Sequence, residues 1–161
     1  MKKKILLTLL AILIIIQFIR PARNVSNTVP ATDITKVYSV PGNVQQILKV
    51  SCNDCHSSNT IYPWYTNIQP VGWWMQKHVN DGKKELNFSE FGSYTPKRQA
   101  HKLEEVGEQV KGGHMPINSY LWVHTDAKLS DEQKMAVVEW AEGLRAQIIK
   151  ANNLPAEEEK R

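Results

Sequence analysis

Two cysteines are all that this chain of 161 residues contains. That scarcity excludes a disulfide-stapled scaffold and a four-thiol zinc site. Acidic residues are absent around the apolar N-terminal run, which is flanked by Lys2, Lys3, Lys4 and Arg20. Those four account for the formal charge of +4, because the remainder carries sixteen basic and sixteen acidic side chains. A balanced remainder gives no electrostatic footprint for nucleic acid. No stretch alternates apolar and polar residues as a half-buried strand would, and no internal repeat is visible. About 140 residues follow the apolar run, enough for one domain and not two.

The run from Ile5 to Ile19 is interrupted only by Thr8 and Gln17, and Arg20-Pro21 stops it. A basic start before a short apolar stretch reads as an export signal. Fifteen helical residues span about 22 Å, short of a hydrocarbon core of roughly 30 Å. No small-x-small site follows promptly, and no cysteine is placed to take a lipid. An uncleaved anchor is therefore expected over a cleaved peptide, with the lysines held in the cytoplasm. Residues 1–21 form this segment. Residues 22–42, polar with Pro30 and Pro41, read as a flexible tether that would reach about 25 Å. Residues 43–150 form the domain, and 151–161 a disordered tail.

What is present is concentrated in Cys52-Asn53-Asp54-Cys55-His56. Two thiols two residues apart, followed directly by an imidazole, make the attachment sequence for a c-type haem. Each sulfur can add to one vinyl group, which holds His56 under the iron as the proximal ligand. A thioredoxin-like pair would want a βαβ context that is missing here. A Cys52–Cys55 disulfide would close a very tight loop and leave His56 without a role.

The spacing of apolar residues predicts helices throughout. Asn43 caps one through Val44, Ile47, Leu48 and Val50. Pro70 starts a second that carries Trp73, Trp74 and His78 and stops near Gly82. Thr95-Pro96 opens a third, with Ala100, Leu103, Val106 and Val110 on one side and Gly112-Gly113 ending it. Ser130 and Gln133 form a capping box for the fourth, along which Val138, Ala141, Leu144 and Ile148 make a stripe. The expected fold is all-α: a small cytochrome c-like helical domain wrapped around one covalent haem, behind an N-terminal membrane or signal segment.

The second axial position is open to several groups. Met115 sits in Gly112-Gly113-His114-Met115-Pro116, where the proline keeps a loop from becoming helical. A His/Met pair raises the reduction potential and suits electron transfer. His114, His124, His78 and His101 are the alternatives, and bis-histidine ligation would lower the potential. Five tryptophans with Tyr62, Tyr65, Tyr94 and Tyr120 can stack against a porphyrin or pack a core, and Trp140 is expected in the core. Lys77, Lys83, Lys84, Lys97, Arg98 and Lys102 cluster in the middle of the chain. They read as solvated faces, or as cover for haem propionates or a docking patch.

The chain resembles a bacterial haem-binding domain family related to class I cytochromes c, over roughly residues 43–145. Cys52 to Ser57, Tyr62-Pro63-Trp64-Tyr65, Pro70-Val71, Gly82 and Leu86-Asn87-Phe88-Ser89-Glu90 carry the resemblance. It continues through Met115-Pro116, Tyr120, His124 and Leu129-Ser130. It implies thioethers at Cys52 and Cys55, His56 as proximal and Met115 as distal iron ligand, and haem binding in the cell envelope. The expected function is a membrane-tethered monohaem cytochrome that passes single electrons between redox proteins on the periplasmic side of the inner membrane. A peroxidase with His114 or His124 as distal acid–base group, and a haem-based redox or gas sensor, are the alternatives.

Overall fold

The computed structural model describes residues 1–155, and among them there are helices and short 3₁₀ turns but no strand. Helix α1, Lys2–Ile16, is apolar on every side and buries none of its residues. No helix among the described residues is long and apolar enough to cross a membrane. A short α2, Ile34–Val37, is capped by the Asp33 side chain, which accepts from the Thr35 amide. Helix α3, Gly42–Ser51, leads at Cys52 into α4, Asn53–His56. Helix α5 is Val71–Glu85, α6 Pro96–Lys111, α7 Asn118–Leu121 and α8 Asp131–Ala151.

The two longest helices of the domain form its frame. Thr95 caps α6 by accepting from the Arg98 amide, with Pro96 in the first turn. Ser130 and Gln133 cap α8 reciprocally, which satisfies two orphan donors at once. These helices pack along each other, and α3 crosses α8. Their shared core holds Val44, Ile47, Leu48, Leu103, Val110, Val137, Ala141, Leu144 and Ile148, with Trp140 at its margin. Val137 rather than Val138 occupies the buried stripe of α8, while Val138 packs at the edge.

Three local expectations change. Helix α3 begins at Gly42, because the Gln45 amide already reaches the Pro41 carbonyl at 2.9 Å, and Asn43 lies inside the first turn without capping. Helix α5 passes through Gly82 and ends at Glu85, where Leu86 turns extended. The third change concerns residues 22–42, which do not form a free tether. Ile34 and Val40 are buried in the core, and Tyr38 sets its ring edge-on to Phe91 with centroids 6.1 Å apart. Upstream, the Asn24 side chain donates to the Ser57 carbonyl and the Thr60 hydroxyl, and its carbonyl accepts from the Thr60 amide. The polar composition that suggests a linker here supplies the hydrogen bonds that fasten the strap, and two widely spaced apolar residues anchor it. At the other end, α8 continues to Ala151 and Leu154 packs against the core. The remainder of the expected tail, from residue 156, lies outside the described residues.

Candidate functional site

Helix α4 is a single turn wedged between α3 and α5, and it presents Cys52, Cys55 and His56 to one cavity. The cavity has two lobes of about 210 and 250 Å³. Cys52, His56, Glu85 and Met115 line both lobes, and Cys55 lines the first. Together the lobes fall within the range of ligand pockets, roughly 300–1,000 Å³. Leu48, Phe88, Val106 and Val110 make the second lobe apolar, and Ile117 and Tyr120 close the first.

The His56 ring is held in one tautomer. Its Nδ1 lies 3.0 Å from the Leu86 carbonyl oxygen. A carbonyl can only accept, so Nδ1 carries the proton and Nε2 keeps its lone pair free. A second-shell carbonyl in this position is how ligating histidines are oriented. Phe88 packs edge-on against the imidazole with centroids 6.4 Å apart. Burial pushes the His56 pKa below the ordinary value, against the opposing pull of the Leu86 carbonyl. The neutral ring is the form a metal binds.

The two cysteines are free and partly buried. Burial, reinforced by its neighbour Cys55, pushes the Cys52 thiol up to about 12. Burial, then the Asp54 carboxylate, raises Cys55 to about 11. Burial favours the neutral thiol in both.

Met115 reaches the cavity from the loop between α6 and α7. The amides of His114 and Met115 both donate to the Gln109 carbonyl, at 2.9 and 3.2 Å. Gly113, at φ +70°, makes the left-handed turn that this closure needs. The loop therefore fixes where the Met115 backbone sits. His114, beside it, is exposed and lines neither lobe. His124 is spent elsewhere: its ring stacks on Tyr120 at 4.0 Å, and its Nδ1 lies 3.2 Å from the Tyr120 carbonyl. His101 lies beside Glu104 and Glu105. His78 lines the first lobe, with Nδ1 bonded to the Trp74 carbonyl at 2.8 Å. Of the five tryptophans, none lines either lobe.

The sequence assigned no part to Asp54, Asp81 or Glu85, which the structure places at the site, whereas Tyr120, Lys102, His78 and Gly82 were already noted. Asp54, one of the two residues between the cysteines, accepts from the Tyr120 hydroxyl at 2.8 Å and from the Ile61 amide at 2.9 Å. Burial, then the Asp54 charge, holds the Tyr120 phenol well above its usual range. This pair ties α4 to α7. Lys102, which lines the second lobe, lies 2.6 Å from Glu105 and 3.7 Å from Glu85. His78, Asp81, Gly82 and Glu85 recur three and four residues apart along α5 and all line the first lobe. That spacing marks one helix face and was a usable signal.

Gly82 has a steric role. A Cβ there would stand 2.9 Å from both the Cβ and the carbonyl oxygen of Cys55. Helix α5 can approach α4 only at a glycine. Gly82→Ala is expected to push the two helices apart at the cost of overpacking, about 1–3 kcal/mol. Thermal unfolding, beside the haem yield of the purified variant, checks both consequences.

A family model described as Haem-binding domain matches residues 11–143. The chain belongs to this haem-binding domain family. No curated protein and no solved structure matches it. The match begins within α1 and takes in the whole strap from Asn24 to Val40, in keeping with the packing of those residues onto the domain. Membership makes this a haem protein. The residues of the cavity fit the group: a free imidazole Nε2, a thioether in the same cavity and apolar walls are a haem donor set. Two acidic side chains, Glu85 and Glu105, sit around the single lysine of the second lobe.

Proposed function

We propose that this haem protein is a monohaem c-type cytochrome that transfers single electrons in the cell envelope, held at the periplasmic side of the inner membrane by its N-terminal segment. The observation that carries the reading is the convergence of Cys52, Cys55, His56 and Met115 on one cavity, with His56 fixed in the tautomer that frees Nε2. Cys52 and Cys55 would form the thioethers, His56 the proximal bond and Met115 the distal one. When bound, the haem supplies a reversible one-electron couple.

The chain's own contribution is positioning. The Leu86 carbonyl and the Phe88 ring hold the His56 imidazole. The Gln109 carbonyl and Gly113 hold the loop of Met115. The Asp54–Tyr120 hydrogen bond ties the cysteine turn to the segment that follows Met115. A site built from two prepositioned ligands changes little when its charge changes, which outer-sphere transfer requires. The distal-histidine enzyme reading loses support, because His114 and His124 line neither lobe. Export is supported by the basic start and the apolar run that ends at Ile19.

Potentiometric titration of the full chain, matured in cells that attach c-type haem, tests the function. The expected result is a single reversible one-electron transition with six-coordinate, low-spin spectra in both oxidation states. A five-coordinate ferrous form would sink the electron-carrier reading.

A further inference from the structure

The strap fixes the direction in which α1 leaves the domain. Just beyond the helix, Gln17 and Gln69 bond reciprocally: the Gln17 side-chain amide donates to the Gln69 carbonyl at 3.1 Å, and the Gln69 amide donates back at 2.8 Å. The Trp73 indole N–H donates to the Ile19 carbonyl at 2.7 Å. Arg23 donates to the Asn67 side chain at 2.6 Å and lies over the Tyr62 ring. The apolar run is therefore rooted on the turn Trp64–Asn67 and the first turns of α5, with no slack between them.

Around that root the surface is apolar. Ile61, Trp64, Ile68, Val71 and Trp74 are all exposed, Trp64 to 75%. The twenty residues from Ser57 to Gln76 contain no charged side chain, in a chain that is 22% charged. The nearest strap charges, Arg20 and Arg23, are both basic. An exposed apolar patch without charge marks an interaction surface. Exposed tryptophan beside an apolar helix is the composition of a membrane interface.

We infer that this face is seated in the headgroup region of the bilayer that α1 enters, so that the domain rides on the membrane in one orientation. The helical part of the run, Ile5 to Ile16, rises about 18 Å, which leaves roughly 12 Å of a 30 Å hydrocarbon core unmatched. An apolar face sunk about 5–10 Å into the interface makes up most of that difference. Helix α5 carries Val71 and Trp74 on this face and His78, which lines the haem cavity and bonds the Trp74 carbonyl, one turn further on. The first lobe of the cavity therefore begins about 6 Å by helix rise beyond Trp74, which would hold the haem close to the membrane surface.

This inference rests on the membrane-tethered reading proposed above, and one experiment separates their failures. The full chain, reconstituted at one copy per lipid nanodisc containing anionic phospholipid, is footprinted with hydroxyl radicals and analysed by peptide mass spectrometry. Met135, 57% exposed on α8, serves as reference, since α8 packs against α6 and α3 rather than α5. Normalised to Met135 and to intrinsic reactivity, Trp64 and Trp74 are expected to oxidise at least about threefold more slowly in the disc than in lipid-free detergent-depleted protein, as burial in the interface demands. Equal rates with α1 still resistant to alkaline extraction would overturn the seated face and leave the anchor standing. Release of the chain by alkaline extraction would overturn both. Protection that appears only at two copies per disc would assign the face to a second copy and overturn the lipid assignment.

Discussion

Met115→Ala is expected to convert a closed low-spin site into one that binds carbon monoxide. The side chain lines both lobes of the cavity, and no other methionine does. Its loop is fixed by the Gln109 carbonyl and Gly113, so a truncated side chain is not replaced by a shift of the backbone. The weak long-wavelength ferric sulfur band disappears, and the reduced variant takes up carbon monoxide that the wild type refuses. The midpoint potential falls by on the order of 100 mV, within the roughly 0.8 V over which axial ligands act. Optical spectra of both proteins, oxidised, reduced and under carbon monoxide, decide it. An unchanged spectrum would pass the distal position to His78, the one alternative that lines the cavity.

Ile34→Ala is expected to be the most destabilising change in the strap. Ile34 is 1% exposed and belongs to the core that Leu48, Phe88 and Phe91 share. Removing a buried isoleucine to alanine costs about 2–5 kcal/mol, out of a total that for most domains is about 5–15 kcal/mol. The melting temperature should fall by on the order of 10 °C. A residue in a flexible tether would cost nothing measurable. Thermal unfolding followed by circular dichroism separates these outcomes, and Val29→Ala, an exposed strap residue, gives the control.

The difference between those two residues explains what was legible in the sequence. Helices α6 and α8 announce themselves through side-chain capping at Thr95 and Ser130, and through apolar stripes long enough to show a period. The cysteine pair with His56 is legible because two thiols two residues apart, followed directly by an imidazole, form a recognisable motif. The strap was not legible, because its anchoring depends on two apolar residues, Ile34 and Val40, separated by polar ones with no regular interval. Its hydrogen bonds, such as Asn24 with Thr60, join residues far apart in sequence. The 3₁₀ turn Phe88–Ser93 hid for a related reason: Phe91 is fully buried through contacts with Tyr38 and Tyr94, not through any local periodicity. Gly82 resembled a helix stop, and only the approach of Cys55 gives its actual role. Trp140 packs at the core, as its place on the apolar side of the last helix suggested, while composition gave no way to tell that Trp64, Trp74 and Trp122 are exposed.

Intact-mass spectrometry reads out a covalent bond from Cys52 and Cys55 to one haem. The full chain is matured in cells carrying c-type haem attachment machinery, then denatured and extracted with acidified organic solvent to strip any haem held by coordination alone. The expected result is a polypeptide that retains the mass of one haem. Cys52→Ser/Cys55→Ser should emerge from the same extraction at the mass of the bare chain. A wild-type chain that loses its haem to the solvent would contradict covalent attachment and leave His56 and Met115 holding a dissociable cofactor.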